Sequence, residues 1–268
     1  MLKDVTIGQF YPADSVLHRL DPRTKIIGLI LYMVGLFMVR ELWDYLYVAA
    51  FTAVIILLSG VPFKTLLKGI RPLWVLLLFT LILNFFMYPD GRIIWQWWIF
   101  KLTEEGILKG IFMAIRLVLL LNVTSLLTLT TTPILLTDGL EKIMKTWHIP
   151  MAHELAMMMT IALRFIPTLI DETDKIMKAQ IARGADFESG NLMKRAKGLI
   201  PLLIPLFLSA FRRADELAMA MEARCYRGGE GRTRLRELCY RRADFLAMAA
   251  VAAFMLLTIA DRFWIAAF

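Results

Sequence analysis

The chain has 268 residues, 59% of them hydrophobic, and a mean hydropathy of +0.62. Soluble domains are roughly 45–50% apolar, and here the excess falls in long blocks, which excludes a water-soluble globule and indicates an all-α integral membrane protein. The formal net charge of +8 is unevenly placed, and that placement says more than its size.

Residues 1–24 are polar and turn-like, without the ~7–15-residue apolar stretch that a secretory signal requires. Apolar runs follow at about 26–39, 42–59, 72–88, 107–127 and 245–260, close to the ~17–25 residues that cross a hydrocarbon core. About five transmembrane helices are therefore expected. Only Arg40-Glu41 separates the first run from the second, which predicts a tight helical hairpin, with Lys25 or residues further back completing the first span.

The charges orient these spans. Lys3, Arg19, Arg23 and Lys25 precede the first span, and Lys64, Lys68 and Arg71 fill the connector at 60–71 without an acid. The segment 88–106 instead balances Arg92 and Lys101 against Asp90, Glu104 and Glu105. Short cytoplasmic loops carry the excess of Lys and Arg, so the N-terminus and 60–71 are expected inside the cell and 88–106 outside. Trp95, Trp97 and Trp98 then suit an aromatic belt at the outer interface. Arg116 lies inside the fourth run, where a charge marks a functional candidate by default; pairing with a neighbouring helix or snorkelling to the interface is the structural alternative. Gly106 and Gly110 form a GxxxG spacing, a weak signal of close helix packing.

Four crossings return the chain to the cytoplasm near residue 130. The expected organisation is a cytoplasmic segment at 1–24, four transmembrane helices in 25–130, about three cytoplasmic helices in 131–242 and a final span in 243–268. Thr137-Asp138 followed by Glu141 reads as a capping box opening a short helix that Pro150 ends. A long helix is predicted from about 152 to 184, kinked at Pro167 and closed by Gly184 as its C-cap glycine. Phe187-Glu188-Ser189-Gly190 reads as a turn, and Asn191 as the N-cap of a second long helix reaching Arg224. Pro201 and Pro205 are expected to interrupt it, and Gly228-Gly229 to stop it.

The two long helices end on nearly the same phrase. Ala182-Arg183-Gly184 and Ala223-Arg224-Cys225 lie 41 positions apart, with Asp174 and Asp215, and Ala179 and Ala220, in the same register. Arginine is favoured at helix C-termini because it meets the negative end of the dipole. Two in-register copies between membrane spans point further, to a pair of docking pins. Eight of the sixteen methionines, among them Met157, Met158 and Met219, lie between 151 and 221. Flexible, polarisable Met suits surfaces that accept differently shaped partners, although filling a core is the ordinary use of any one of them.

Catalytic signatures are missing from the sequence. It has no Gly-x4-Gly-Lys-Ser/Thr phosphate loop and no Gly-x-Ser-x-Gly elbow. His153-Glu154 begins like a zinc-protease helix, but Met157 stands where the second ligand would be, and His18 and His148 lack a partner at ligand spacing. Cys225 and Cys239 form no CxxC pair. No catalytic residue, metal, cofactor or nucleic acid is expected on this chain.

The residues that carry a family resemblance are Leu17-His18-Arg19-Leu20-Asp21-Pro22-Arg23-Thr24-Lys25, Leu127-Thr128-Leu129-Thr130-Thr131 and Arg164-Phe165-Ile166-Pro167-Thr168. With them stand Ala179 to Phe187, Ala214-Asp215-Glu216-Leu217-Ala218 and Met221 to Gly228. Over nearly its whole length the chain resembles the transmembrane (T) component of energy-coupling factor transporters, the EcfT/CbiQ family of prokaryotic vitamin and metal importers. The resemblance implies a non-enzymatic scaffold in the cell membrane, bound to two ABC-type ATPase subunits that hold ATP and to one substrate-binding (S) membrane subunit. It implies that Ala182, Arg183, Gly184, Ala223, Arg224 and Cys225, on crossed cytoplasmic coupling helices, enter grooves of the two ATPases. The Met-rich segments, with Met157, Met158 and Met219, are candidates for the S-subunit contact.

Cys225 departs from the family pattern, where glycine is usual. Glycine reaches φ > 0 freely and a residue with a Cβ does so at a cost, so a different cap, with Gly228 taking the break, is expected at the second tip. The rival functions are a self-sufficient secondary transporter, which calls for inverted repeats and polar residues at mid-membrane, and an intramembrane enzyme, which calls for a nucleophile, base or metal set.

The orientation has a direct test. A membrane-impermeant maleimide added to intact cells is expected to miss Cys225 and Cys239 and to label them after permeabilisation. Labelling of either thiol from outside inverts the assignment.

Overall fold

The computed structural model describes residues 10–39, 41, 43–87, 93–97, 100–185, 192–229 and 237–267. Helices dominate, as the block pattern of hydropathy requires. In chain order they are α1 (Val16–Arg19), α2 (Pro22–Met38), α3 (Asp44–Ser59), α4 (Phe63–Ile70) and α5 (Trp74–Met87), the last two joined by a single 3-10 turn at Arg71–Leu73. Then come α6 (Glu104–Thr130), α7 (Pro133–Thr146), α8 (Ala152–Ala182), α9 (Leu192–Ala223) and α10 (Arg242–Ala267). One exception interrupts the all-helical pattern. Between α5 and α6, β1 (Ile93–Trp97) pairs antiparallel with β2 (Phe100–Thr103) where the sequence reads as a plain loop. Trp98 of the expected aromatic belt lies outside the described residues, as do the 187–190 turn and the Asn191 cap.

Among the described residues, four helical stretches are long and apolar enough to cross a membrane, Phe63–Phe85, Glu104–Thr130, Ala152–Ala182 and Arg242–Phe263, with Asp44–Ser59 a shorter apolar helix. α8 has the lowest mean hydropathy of the four, 1.3 against 1.9 to 2.1. The chain divides into two compact units, Gly8–Gly139 with Leu238–Phe268, and Leu140–Glu237.

The first unit is a bundle of α1 to α6 and α10. Its core gathers Leu36, Val48, Tyr32, Tyr45 and Phe254. Phe254 stacks on Phe51 (ring centroids 4.8 Å apart) and on Tyr32 (5.5 Å). Gly35 makes that approach possible, since a Cβ there would stand 2.7 Å from the Phe254 ring. The Tyr32 and Thr52 hydroxyls are 2.7 Å apart, and Thr52 donates to the Val48 carbonyl. Tyr32 is therefore the donor of the pair, and the buried phenol is satisfied. The GxxxG spacing does what it suggests. A Cβ on Gly106 would lie 2.9 Å from the Phe85 carbonyl and one on Gly110 2.7 Å from the Phe85 ring, so α5 and α6 meet at these two glycines. Arg116 turns out to be structural: its guanidinium donates to the Val39 carbonyl (2.7 Å) at the C-cap of α2 and to the Tyr45 hydroxyl (3.1 Å).

A polar knot closes one end of this bundle. Asp21 is the N-cap of α2, its carboxylate accepting the Arg23 N–H, and Pro22 stands in the first turn, where its missing N–H costs nothing. Asp244, 1% exposed, accepts the Asp21 N–H and the Arg241 N–H, both at 2.7 Å. Arg23 pairs with Asp21, donates to the Leu238 carbonyl and lies 3.9 Å over the Tyr240 ring. Burial works to raise the Asp21 carboxyl, but hydrogen bonds from the Arg23 side chain and backbone outweigh it and hold the group below the usual carboxylate value. Lys25 donates to the Thr130 carbonyl and the Thr131 hydroxyl at the end of α6. Two motifs far apart in sequence, Leu17–Lys25 and Leu127–Thr131, thus meet.

α7 corrects a local expectation. It opens at Pro133 with Thr132 as its cap, whose hydroxyl and carbonyl accept the Leu135 and Leu136 N–H groups. Thr137, Asp138 and Glu141 lie inside the helix, because proline at the first helical position is the stronger start signal. α8 and α9 run unbroken through Pro167, Pro201 and Pro205. Each proline removes its own i→i−4 bond and crowds the i−4 carbonyl, but helices of 31 and 32 residues retain their other bonds and continue.

Replacing Asp244 by Ala leaves the buried Asp21 N–H without its partner and is expected to lower stability by about 1–3 kcal/mol, read as thermal unfolding of the detergent-solubilised protein. Asp244→Asn keeps an acceptor and should recover most of that loss. Asp14→Ala, which removes the exposed Asp14–Arg19 pair, should unfold at the wild-type temperature, because solvent screens such a pair.

Candidate functional site

Within the unit Leu140–Glu237, α8 and α9 lie antiparallel. Gln180 donates to the Pro201 carbonyl, Glu172 pairs with Arg213 at 2.6 Å, and His153 meets Tyr226. Glu172 and Arg213 are themselves 41 positions apart. The ion pair thus joins equivalent points of the repeat that carries the arginines. Each arginine lies 11 residues beyond it on its own helix, about 16 Å at 1.5 Å per residue. The tips therefore stand at opposite ends of the helix pair, about 33 Å apart along its axis.

Both tips are built alike. At the first, the Gly184 N–H donates to the Ile181 carbonyl (2.9 Å) and the Ala185 N–H to the Gln180 carbonyl (2.9 Å). At the second, the Cys225 N–H donates to the Glu222 carbonyl (2.8 Å) and the Tyr226 N–H to the Met221 carbonyl (3.0 Å). This is the paired 5→2 and 6→1 pattern of a Schellman cap, repeated bond for bond. Gly184 has φ +85° and Cys225 φ +56°. The expectation of a different second cap, with Gly228 taking the break, is thereby corrected. Gly228 also has positive φ (+89°), but α9 has already ended at Ala223. Two backbone hydrogen bonds hold Cys225 in the left-handed region in spite of its Cβ.

Ala182, Arg183, Gly184, Ala223, Arg224 and Cys225 are all exposed, and neither guanidinium has a hydrogen bond or ion pair among the described residues. The caps thus fix the backbone under two arginines whose donors are unused.

The surroundings of the second tip were not legible in the sequence. His153 Nδ1 lies 3.1 Å from a Glu141 carboxylate oxygen and its Nε2 3.5 Å from the Tyr226 hydroxyl. Gly229 packs flat on the same ring: a Cβ there would stand 2.5 Å from it. The histidine that reads as idle in sequence ties the segment after α9 back to α7 and α8. The carboxylate comes from 12 residues upstream and the phenol from 73 downstream, so no local spacing could reveal the arrangement. His18 is likewise structural, bonded to Ser15 and to the Tyr11 carbonyl. Among the described residues no cluster of three or more His, Cys, Asp or Glu is placed to hold a metal.

An exposed apolar surface accompanies the tips. Ile200, Ile204, Phe207 and Phe211 recur at helical spacing along α9, each more than half exposed. Met158 (52%) and Met219 (62%) are exposed too, and Met157 is partly so. The apolar run around Pro201 and Pro205 is thus an outward stripe on a continuous helix.

A bundle of long apolar helices, in a chain that also carries an antiparallel helix pair with matched arginine tips, defines an all-α membrane protein. A family model described as "Cobalt transport protein", CbiQ, matches residues 13–235. Relatives named energy-coupling factor transporter transmembrane protein EcfT include one from Clostridium kluyveri, 54% identical over 98% of this chain and 99% of its own length. Another, from Acidaminococcus fermentans, is 55% identical over 96% and 97%, and one from Bacillus subtilis 50% identical over 91% and 93%. The chain belongs to the EcfT/CbiQ family of transporter transmembrane components.

The matched caps make opposite predictions for glycine. Cys225→Gly removes the left-handed strain of a Cβ-bearing residue and should raise stability by up to about 1 kcal/mol, whereas Gly184→Ala should lower it by about 1–2 kcal/mol. Thermal unfolding of the two purified variants against wild type measures both signs.

Proposed function

We propose that the chain links ATP hydrolysis by two partner ABC-type ATPase subunits to uptake of a vitamin or metal ion through a separate substrate-binding membrane subunit, itself catalysing nothing. In this reading Arg183 and Arg224 each enter a groove of one ATPase. The matched Schellman caps carry the proposal, because they present two exposed guanidiniums with unused donors from equivalent backbone positions on either side of the Glu172–Arg213 pair. Arginine suits the role: its planar fork bonds carboxylates and carbonyls in several directions and stays charged. Two like pins call for two like grooves, which fits a pair of similar ATPase subunits.

The apolar stripe of α9, with Met157, Met158 and Met219, serves as the seat of the substrate-binding subunit. Exposed apolar patches of this extent mark protein or membrane contacts. We place 1–24 and 131–242 at the cytoplasmic side of the cell membrane, the N-terminus inside, and α8 along the inner face. α8 is long enough to cross, but Asp171, Glu172, Asp174, Lys175 and Lys178 crowd its second half, a stretch costly to bury in hydrocarbon.

Arg183→Glu with Arg224→Glu replaces two hydrogen-bond forks, each bond worth about 1.5–3 kcal/mol, with repulsion. Co-purification from solubilised membranes should show loss of both ATPases with the substrate-binding subunit retained, and uptake should stop. Met158→Asp should give the reverse pattern, since an unpaired carboxylate in an apolar seat is costly. Normal ATPase recovery and transport in the double arginine variant would refute the pins.

A further inference from the structure

The bundle Gly8–Gly139 with Leu238–Phe268 holds a cavity of about 340 Å³ between α1, α2, α3, α6 and α10. Its body is apolar, walled by residues such as Leu29, Phe51, Ile55, Leu126 and Val251. It extends along α2 from Lys25 to Tyr32, about 10 Å of helix. The rim is open: Val54, Leu58 and Leu246 line it while remaining 51%, 48% and 72% exposed. On a membrane-embedded bundle such an opening faces hydrocarbon chains.

One end of the cavity differs in kind. Thr24 and Thr130 line it, are 4% and 3% exposed, and their hydroxyls have no hydrogen-bond partner among the described residues. A buried unmade hydrogen bond costs about 1–3 kcal/mol, so two unpartnered hydroxyls on one cavity lining call for an acceptor. Lys25 lines the same end and uses two of its three protons on Thr130 and Thr131. The neighbouring carboxylates are committed, Asp21 to Arg23 and Asp244 to two backbone N–H groups. Lys25 is the charged side chain of the lining. An apolar slot ending in two hydroxyls and the Lys25 ammonium is complementary to one molecule class, an acyl chain with an anionic head.

We propose that this cavity is a binding site for an anionic phospholipid of the surrounding bilayer, one acyl chain filling the apolar body and the phosphodiester accepting from Lys25, Thr24 and Thr130. Basic pockets between transmembrane helices are a recognised way of selecting such head groups. A zwitterionic head would add a cation beside Lys25, which disfavours it. The lipid would bridge α2, α6 and α10 where the polar knot already joins them, so its presence reinforces the bundle end. The inference does not depend on the ATPase pins.

The test uses the full transport complex in phosphatidylcholine vesicles doped with phosphatidylglycerol that carries a photoactivatable group at one acyl terminus. Illumination and peptide mass spectrometry are expected to place the label on the cavity residues of α2, α3 and α10. Gly28→Leu fills the slot from α2, where an added Cβ meets only Val251 at 3.6 Å, and Ala247→Leu fills it from α10. Each should cut labelling at least fivefold. Thr24→Val with Thr130→Val preserves shape and loses no bond among the described residues. It should raise the thermal unfolding temperature in detergent, because two unsatisfied hydroxyls are removed, while weakening labelling about tenfold. Photoactivatable phosphatidylcholine should label the same peptides several-fold less. Labelling indifferent to both filling variants, equal labelling by the two head groups, or a partner-subunit peptide cross-linked into the slot would each overturn the proposal.

Discussion

The carboxylate of Asp244 is the point on which the membrane bundle turns. It accepts two backbone N–H groups, one from its own helix start and one from Asp21, 223 residues away. Helices in hydrocarbon satisfy their backbones internally and leave only their ends exposed to the problem of unpaired groups. A bundle of this kind can therefore be fixed most specifically at its ends. Asp244, Asp21, Arg23, Tyr240 and Lys25 do this at one end, drawing α2, α6 and α10 together. Arg116 does it elsewhere, by taking the free carbonyl at the C-cap of α2. Between these points the packing is carried by small residues, Gly35 under Phe254 and Gly106 with Gly110 against Phe85. Tight contact there replaces the hydrophobic drive that a lipid solvent does not supply.

The helix pair α8–α9 follows another logic. Its two halves are equivalent, and the Glu172–Arg213 pair sits where equivalent positions meet. Equal arms of 11 residues then put the two arginines at matched distances, and equal caps give them matched backbone geometry. A partially exposed ion pair contributes little to stability. Its value is in register: a slip of α9 along α8 would break the pair and unbalance the arms. His153 adds a restraint at the second tip only, where cysteine replaces the conformationally freer glycine.

Much of this was open to a sequence reading, for stated reasons. Membrane spans announce themselves because hydrocarbon tolerates few polar groups over some twenty residues, and α2, α3, α5, α6 and α10 fall on the five apolar runs. The repeated Ala-Arg phrase was visible because both copies use the same local cap chemistry. Other features depended on competition between signals. Thr132-Pro133 outranked Thr137-Asp138 as a helix start, and the long helices absorbed their prolines. Cys225 shows the limit of residue propensity: two backbone hydrogen bonds outweigh a modest steric preference for glycine. The β1–β2 ribbon was missed because alternation over so short a stretch of tryptophans and isoleucines resembles an interfacial loop.

The sequence alone thus determined the class of protein, the positions of five apolar helices and the two Ala-Arg helix ends, since each rests on local composition or on periodicity within one helix. The tertiary structure decided what no local window contains: that Asp21 and Asp244 share a hydrogen bond, that Arg116 is a strut, that His153 clamps the segment after α9, that Glu172 finds Arg213, and that Thr24, Lys25 and Thr130 meet at one end of an apolar slot. Pairings of this kind join residues 12 to 223 positions apart. They exist only once packing has brought distant helices within hydrogen-bonding distance, because an interaction that fades over a few ångströms leaves no periodic trace in the chain.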